Sequence, residues 1–127
     1  HNHGDMERDF TFVDDLVEAI LRLADRPPEA GRPVSAADSV TAAAPYRVVN
    51  IGAGAPVPLP DFVGAIERAT GRRAVRELVP MQPGELHRTW ADNTLLRDLT
   101  GFSPPTRVED GVARFVEWYL GWRREAA

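Results

Sequence analysis

The sequence predicts an α/β fold. Short runs rich in β-branched and aromatic residues alternate with longer stretches of helical spacing, and Gly/Pro breaks separate the two. Eleven prolines and ten glycines in 127 residues supply those breaks. The length suits one domain with a sizeable core, and 43% hydrophobic against 27% charged residues is an ordinary globular balance.

The elements follow in chain order. Arg8-Asp9-Phe10-Thr11-Phe12-Val13 alternates large apolar residues, which is a short strand signal. Apolar positions 13, 16, 17, 20, 21 and 24 then take up helical spacing. Asp14 and Asp15 fall in the first turn of that helix and Arg22 and Arg26 near its end, as the helix dipole favours, and Pro27-Pro28 stops it. Residues 29–45 are rich in Ala, Ser, Pro and Gly without a period, and predict a flexible loop. Tyr46-Arg47-Val48-Val49-Asn50-Ile51 reads as a mostly buried strand ended by Gly52. A Gly/Pro turn region follows to Pro60, which suits the first turn of a second helix. Phe62, Val63, Ile66 and Ala69 line one face of it, and Gly71 closes it. Residues 72–79 form a further extended segment anchored by Val75 and Leu78, and 81–85 a turn. Asp92 caps a third helix carrying Leu95, Leu96 and Leu99 and closed by Gly101. After Ser103-Pro104-Pro105, the residues Val108, Val112, Phe115, Tyr119 and Trp122 make the apolar stripe of a last helix.

All fifteen Lys+Arg cations are arginine, and cysteine is absent. That excludes a Schiff base, a P-loop lysine, a thiolate nucleophile and a Cys-based zinc site from this chain. A net charge of -4 argues against non-specific nucleic-acid binding, and no apolar run approaches the roughly 20 residues of a membrane span. The opening His1-Asn2-His3-Gly4, without Met, reads as the start of a piece of something longer.

Several groups invite a chemical reading. The glycine pair Gly52 and Gly54 follows a strand signal, as in a dinucleotide fingerprint, but prolines 56, 58 and 60 stand where a third glycine and a helix N-terminus belong, which favours a structural turn. His1 and His3 form a weak terminal metal pair at best, and incidental histidines are the simpler reading. Asp14 and Asp15 suggest an acid–base pair, but neighbours on a helix point about 100° apart and share a site poorly; first-turn electrostatics accounts for them. Phe115, Trp118, Tyr119 and Trp122 suit either a stacking platform or packing, with Trp118 best placed on a face that needs a partner. Arg8, opening a strand, has the planar fork that recognises phosphate, though by spacing alone it reads as a solvated charge.

Motifs in series decide between these readings. Arg8-Asp9-Phe10-Thr11-Phe12-Val13-Asp14-Asp15 resembles the RDFTYVDD segment of extended short-chain dehydrogenase/reductase nucleotide-sugar epimerases. Tyr46-Arg47-Val48-Val49-Asn50-Ile51-Gly52 resembles their late YNIG strand. Pro80-Met81-Gln82-Pro83-Gly84-Glu85 with Thr89-Trp90-Ala91-Asp92 is similar to the PMQPGD…TxAD stretch of UDP-glucuronate 4-epimerases. Gly101-Phe102-Ser103-Pro104 and residues 111–119 match the closing segments.

The resemblance implies a C-terminal, substrate-binding portion over residues 1–127, with the last strand and helix of a Rossmann-type sheet and without the full Rossmann domain. It implies an NAD-dependent isomerase of the cytoplasm that interconverts UDP-glucuronate and UDP-galacturonate at C4, acts as a homodimer, and has no nucleic-acid or membrane partner. The catalytic Tyr-x-x-x-Lys pair cannot lie here, because there is no lysine; the piece alone is expected to be inactive and to bind no NAD. By position, Arg8 would contact the UDP diphosphate, and Gln82 and Glu85 the uridine ribose and phosphates. The family mostly has Asp where Glu85 stands, and epimerases of other UDP-sugars often have Arg where Gln82 stands. Without the dinucleotide-binding sheet, apolar surface is expected to be exposed. The alternatives are a non-catalytic interaction module, or part of a UDP-glucuronate decarboxylase or dTDP-sugar dehydratase.

Overall fold

Helices carry the structure. The computed structural model describes residues 1–125, and in these the regular elements are β1 (Glu7–Arg8), α1 (Val13–Ala24), β2 (Val57–Pro58), α2 (Leu59–Thr70), α3 (Thr94–Thr100) and α4 (Val108–Glu125), preceded by a 3-10 turn at Asn2–Gly4. The chain divides into two compact units. Unit 1 takes residues 1–10, 55–89 and the chain from Thr106 on; unit 2 takes residues 11–54 and 90–105.

In unit 1, β1 and β2 pair antiparallel, with Glu7 opposite Pro58 and Arg8 opposite Val57. The Leu59 N–H donates to the Met6 carbonyl at 2.8 Å, which leads the ladder directly into α2. Proline at the start of α2 costs nothing, since its missing N–H is one a first turn leaves unpaired anyway. Gly71 ends the helix in the left-handed conformation at φ 67°. The core of this unit is Ala65 with Val112 and Val116 of α4, flanked by Phe62, Ala69 and Val108. Phe10 stacks on Phe62 with ring centroids 3.9 Å apart.

In unit 2, α1 packs on α3. Leu95, Leu96 and Leu99 are buried, Leu96 completely, which is worth roughly 1.5–3 kcal/mol for each such side chain. Gly101 closes α3 at φ 68°, its N–H bonded to the Arg97 carbonyl at 2.8 Å. The Arg22 guanidinium lies over the Phe102 ring, 4.8 Å from its centroid.

The strand expectations are corrected, and the helices show where their stripes face. The strand signal at residues 8–13 yields only the two-residue β1, and Phe12 already serves as N-cap of α1. Residues 46–51 and 72–79 form no ladder, because a strand exists only by pairing and no described segment pairs with them. Tyr46 and Val48 are exposed where burial was expected, and so are Val75 and Leu78, the expected anchors. Helix α1 buries Asp15 and Ala19 and leaves Val13, Val17, Ile20 and Leu21 outside, so the apolar stripe read from spacing is there but faces away from the unit's own core. On α4 the buried line is Gly111, Val112 and Val116, while Phe115, Trp118, Tyr119 and Trp122 stay exposed and meet one another in stacked or tilted ring pairs at centroid distances of 5.6–6.3 Å. The expectation of exposed apolar surface agrees with both helices.

Residues 29–45 hold no helix or ladder, only turns and one isolated bridge between Thr41 and Ala44. They are organised around Asp38. Arg47 donates to both of its carboxylate oxygens at 2.9 Å, and the Val34 and Val40 N–H groups donate to it as well.

Candidate functional site

Arg8, Gln82 and Glu85 all belong to unit 1. Arg8 is placed by a ladder of two residues on each strand, yet its strand is held from both sides. Val57 and Pro58 pair with it on one edge. On the other, Glu7 bridges Arg88: the Glu7 N–H donates to the His87 carbonyl at 2.9 Å, and the Thr89 N–H donates to the Glu7 carbonyl at 3.4 Å. The Arg88 side chain then closes an ion pair on Glu7 at 2.8 Å. Successive strand residues alternate faces, so Arg8 lies opposite to this pair and on the same face as His87.

The Arg8 guanidinium is half-buried, and its Nη1 donates to the carbonyls of Glu7 at 2.7 Å and His87 at 3.2 Å. These two bonds fix the plane of the fork. Arginine has five N–H donors, so Nε and Nη2 remain to meet an anionic oxygen pair.

Gln82 and Glu85 are brought together by their own turn. The Glu85 N–H donates to the Gln82 carbonyl at 3.2 Å, and the Gln82 N–H donates to Glu85 Oε2 at 2.9 Å. Gly84 sits between them at φ 87°, where a side chain would be strained although no atom lies near its missing Cβ. Glu85 Oε1 meets His1 Nδ1 in a hydrogen bond. The Glu85 carboxylate thus ties the turn to the chain start, and Gln82 keeps an exposed side-chain amide. The chain leaving this turn delivers His87 to Arg8, so the turn and the arginine are linked through two residues of backbone.

Sequence reading missed His87 and Arg88. Neither has a motif; the signal is their position as the run that follows the turn, where a segment pairing with β1 would have to lie. His87 Nε2 also lies 3.3 Å from Asp5 Oδ1. His3 contributes its backbone N–H to the Val79 carbonyl at 2.9 Å. Among the described residues no group of three or more metal-ligating side chains gathers. Nor is any described helix long and apolar enough to cross a membrane.

In unit 2, Asp14 and Asp15 occupy the first turn of α1 and diverge, Asp15 buried and Asp14 exposed, as helical geometry requires. Asp92 accepts the Thr94 N–H at 2.9 Å and the Thr94 hydroxyl at 2.6 Å, which holds its carboxyl below the ordinary value. Asn93, one residue on, takes the N-cap position itself. The buried Asn93 amide accepts the Gly52 N–H at 3.1 Å and donates to the Gly52 carbonyl at 2.5 Å. Gly54 stands against the same amide, with a Cβ at that position only 3.3 Å from Asn93 Nδ2. The glycine pair therefore closes on a side chain. The Gly52 N–H is taken by that side chain, and prolines 56, 58 and 60 stand where a third glycine belongs.

These geometries have counterparts. No protein-family model matches the chain. A probable UDP-glucuronate 4-epimerase of Rhizobium meliloti is 52% identical over 122 residues, covering 94% of this chain and 36% of that protein. Protein CapI of Staphylococcus aureus is 44% identical over 128 residues, covering 98% and 38%. Among solved structures, MoeE5, described in complex with UDP-glucuronic acid and NAD, superposes with a TM-score of 0.72 at 28% identity, covering 96% of this chain and 36% of its own. A point mutant of UDP-glucuronic acid 4-epimerase from Bacillus cereus shares the fold at a TM-score of 0.70 and 23% identity, over 94% and 33%. The chain thus spans about a third of the length of the relatives it matches. Over nearly all its residues, it is similar to that third of the extended short-chain dehydrogenase/reductase nucleotide-sugar epimerases, with UDP-glucuronate 4-epimerases as its named relatives.

Proposed function

We propose that the chain is the C-terminal, nucleotide-sugar-binding portion of an NAD-dependent UDP-glucuronate 4-epimerase. Arg8 binds the diphosphate, and the turn carrying Gln82 and Glu85 meets the uridine ribose and phosphates. The observation that supports this best is the Arg8 fork, clamped by two carbonyls while keeping further donors available. A charge-assisted contact of this kind is worth about 1.5–3 kcal/mol. With Glu85 engaged in the turn and with His1, its part is to shape the turn that presents Gln82.

Hydride transfer and proton transfer belong to the rest of the enzyme. NAD and the lysine of the catalytic pair both need a Rossmann portion, since this chain has no lysine and its glycine pair is closed by Asn93. The exposed apolar stripe of α1 is consistent with packing against that portion. The whole enzyme on this reading is a cytoplasmic homodimer, and this piece alone is inactive.

Isothermal titration of the chain with UDP tests the assignment. Saturable heat is expected for the native chain, with affinity lowered about tenfold or more by Arg8→Ala. Equal heats from both proteins would remove Arg8 from the site.

A further inference from the structure

Unit 2 holds a cleft of about 560 Å³, a volume suited to a small molecule. It is lined by Asn50, Trp90, Asp92, Asn93, Arg97 and Ser103, with small residues between them, and none of these belongs to the unit that carries Arg8, Gln82 and Glu85. We propose that this cleft binds the pyranose ring of a neutral sugar, at a site distinct from the nucleotide-binding residues.

Three features of the lining select that ligand. The first is Trp90, whose side chain is 60% exposed although an indole gains much from burial. Exposed single apolar residues are common and mean little alone. Here the indole shares the lining with Asn50, Asp92, Arg97 and Ser103, with only the small Ala53 and Ala91 as further apolar side chains, so the cleft offers one large apolar face beside several hydrogen-bonding groups. A pyranose has the matching form, with C–H groups on its faces and hydroxyls around its edge.

The second feature is charge balance. The lining has one carboxylate, Asp92, and one guanidinium, Arg97. The pair leaves no net charge to attract an anion or a cation. It does supply planar groups of opposite polarity, an acceptor pair and a donor fork, which suit vicinal hydroxyls that both donate and accept. The Asn50 amide and the Ser103 hydroxyl add both functions again.

The third is rigidity. Asn93 in the lining is buried and bonded twice to Gly52, and Asp92 is held by both donors of Thr94. A site whose polar groups are already fixed loses less ordering entropy on binding.

The test follows the indole and amide resonances of the chain during titration with methyl glucoside, with uridine and glucuronate as separate arms. Expected is a saturable shift of the Trp90 indole and the Asn50, Ala53 and Ser103 amides with methyl glucoside, while the Trp118 and Trp122 indoles on α4 stay unmoved. Arg97→Ala should weaken that binding about tenfold, the effect of one lost charged hydrogen bond. Should Arg97→Ala fail to fold, Ser103→Ala takes its place, with a loss of about fivefold. No shift at Trp90, equal shifts at all three indoles, a response to uridine or glucuronate alone, or unchanged affinity in the variant would each overturn the proposal. The outcome is separate from the UDP titration, because Arg8→Ala leaves this cleft intact.

Discussion

Replacing Asn93 by Ala should destabilise the protein far more than an exposed helix-cap change would. Asn93 is 5% exposed, and its amide bonds both backbone groups of Gly52, a buried residue 41 positions away. Alanine removes both bonds together and leaves an N–H and a C=O without their partner. Each orphaned buried group costs about 1–3 kcal/mol. Water entering from the adjoining cleft recovers part of that, so the expected loss is about 2–4 kcal/mol. That is a large share of the roughly 5–15 kcal/mol that keeps a domain folded. In urea, with a slope of about 1–3 kcal/mol per molar, the midpoint should fall by about 1–2 M. Asn93→Asp is the informative companion. It keeps an acceptor for the Gly52 N–H but sets a carboxylate oxygen against the Gly52 carbonyl, so it should be no milder than alanine. Amide exchange at Gly52 should quicken in both. A loss under about 0.5 kcal/mol for Asn93→Ala, the range of ordinary surface changes, would refute the reasoning.

Two further outcomes follow from local geometry. Gly101→Ala meets no atom within 4 Å of the new Cβ but forces φ 68° on a residue with a side chain; thermal melting should show a loss of about 1–2 kcal/mol, and Gly101→Asn a smaller one. Acid should loosen the 29–45 segment through Asp38. Hydrogen bonding from Arg47, with the Val34 and Val40 N–H groups, lowers its pKa from 3.8 to about 2 in the folded chain. The folded value lies below the unfolded one, so this stabilisation is complete above pH 3.8 and disappears as pH falls towards about 2. A pH titration of the Val34 and Val40 amide shifts checks it, and a transition centred near 3.8 would contradict the bonding.

The parts of the fold legible in the sequence are those that local chemistry settles. Helix α3 is the clearest case: Asp92 before it, Gly101 after it and three leucines at helical spacing give its bounds and its buried face at once. Gly71 marked the end of α2 for the same reason, since only glycine takes the left-handed turn without strain. The stripe on α4 was read less well. Spacing places Val108, Val112, Phe115, Tyr119 and Trp122 on one stripe and leaves open whether the aromatics pack or stack, and the buried part ends at Val116. Hydrophobic spacing identifies an apolar face; it does not reveal how far along a helix a partner extends. The strand signals failed for a related reason. Residues 46–51 have the composition of a strand, but a ladder needs a neighbour, and composition does not supply one.

The site divides in the same way. The sequence by itself determined which chemistry is absent: with no lysine and no cysteine, this chain holds no catalytic lysine and no thiolate. It also singled out Arg8, Gln82 and Glu85 through motif resemblance, and the turn at 82–85 through its Pro-Gly step. Tertiary structure alone decided what holds them. That His87 orients the Arg8 fork, that Glu85 closes on His1, and that Asn93 seals the glycine pair are contacts between residues 79, 84 and 41 positions apart. Local propensity and motif act within a few residues, whereas the bonds that orient a guanidinium or close a loop are fixed only when the chain has folded back upon itself.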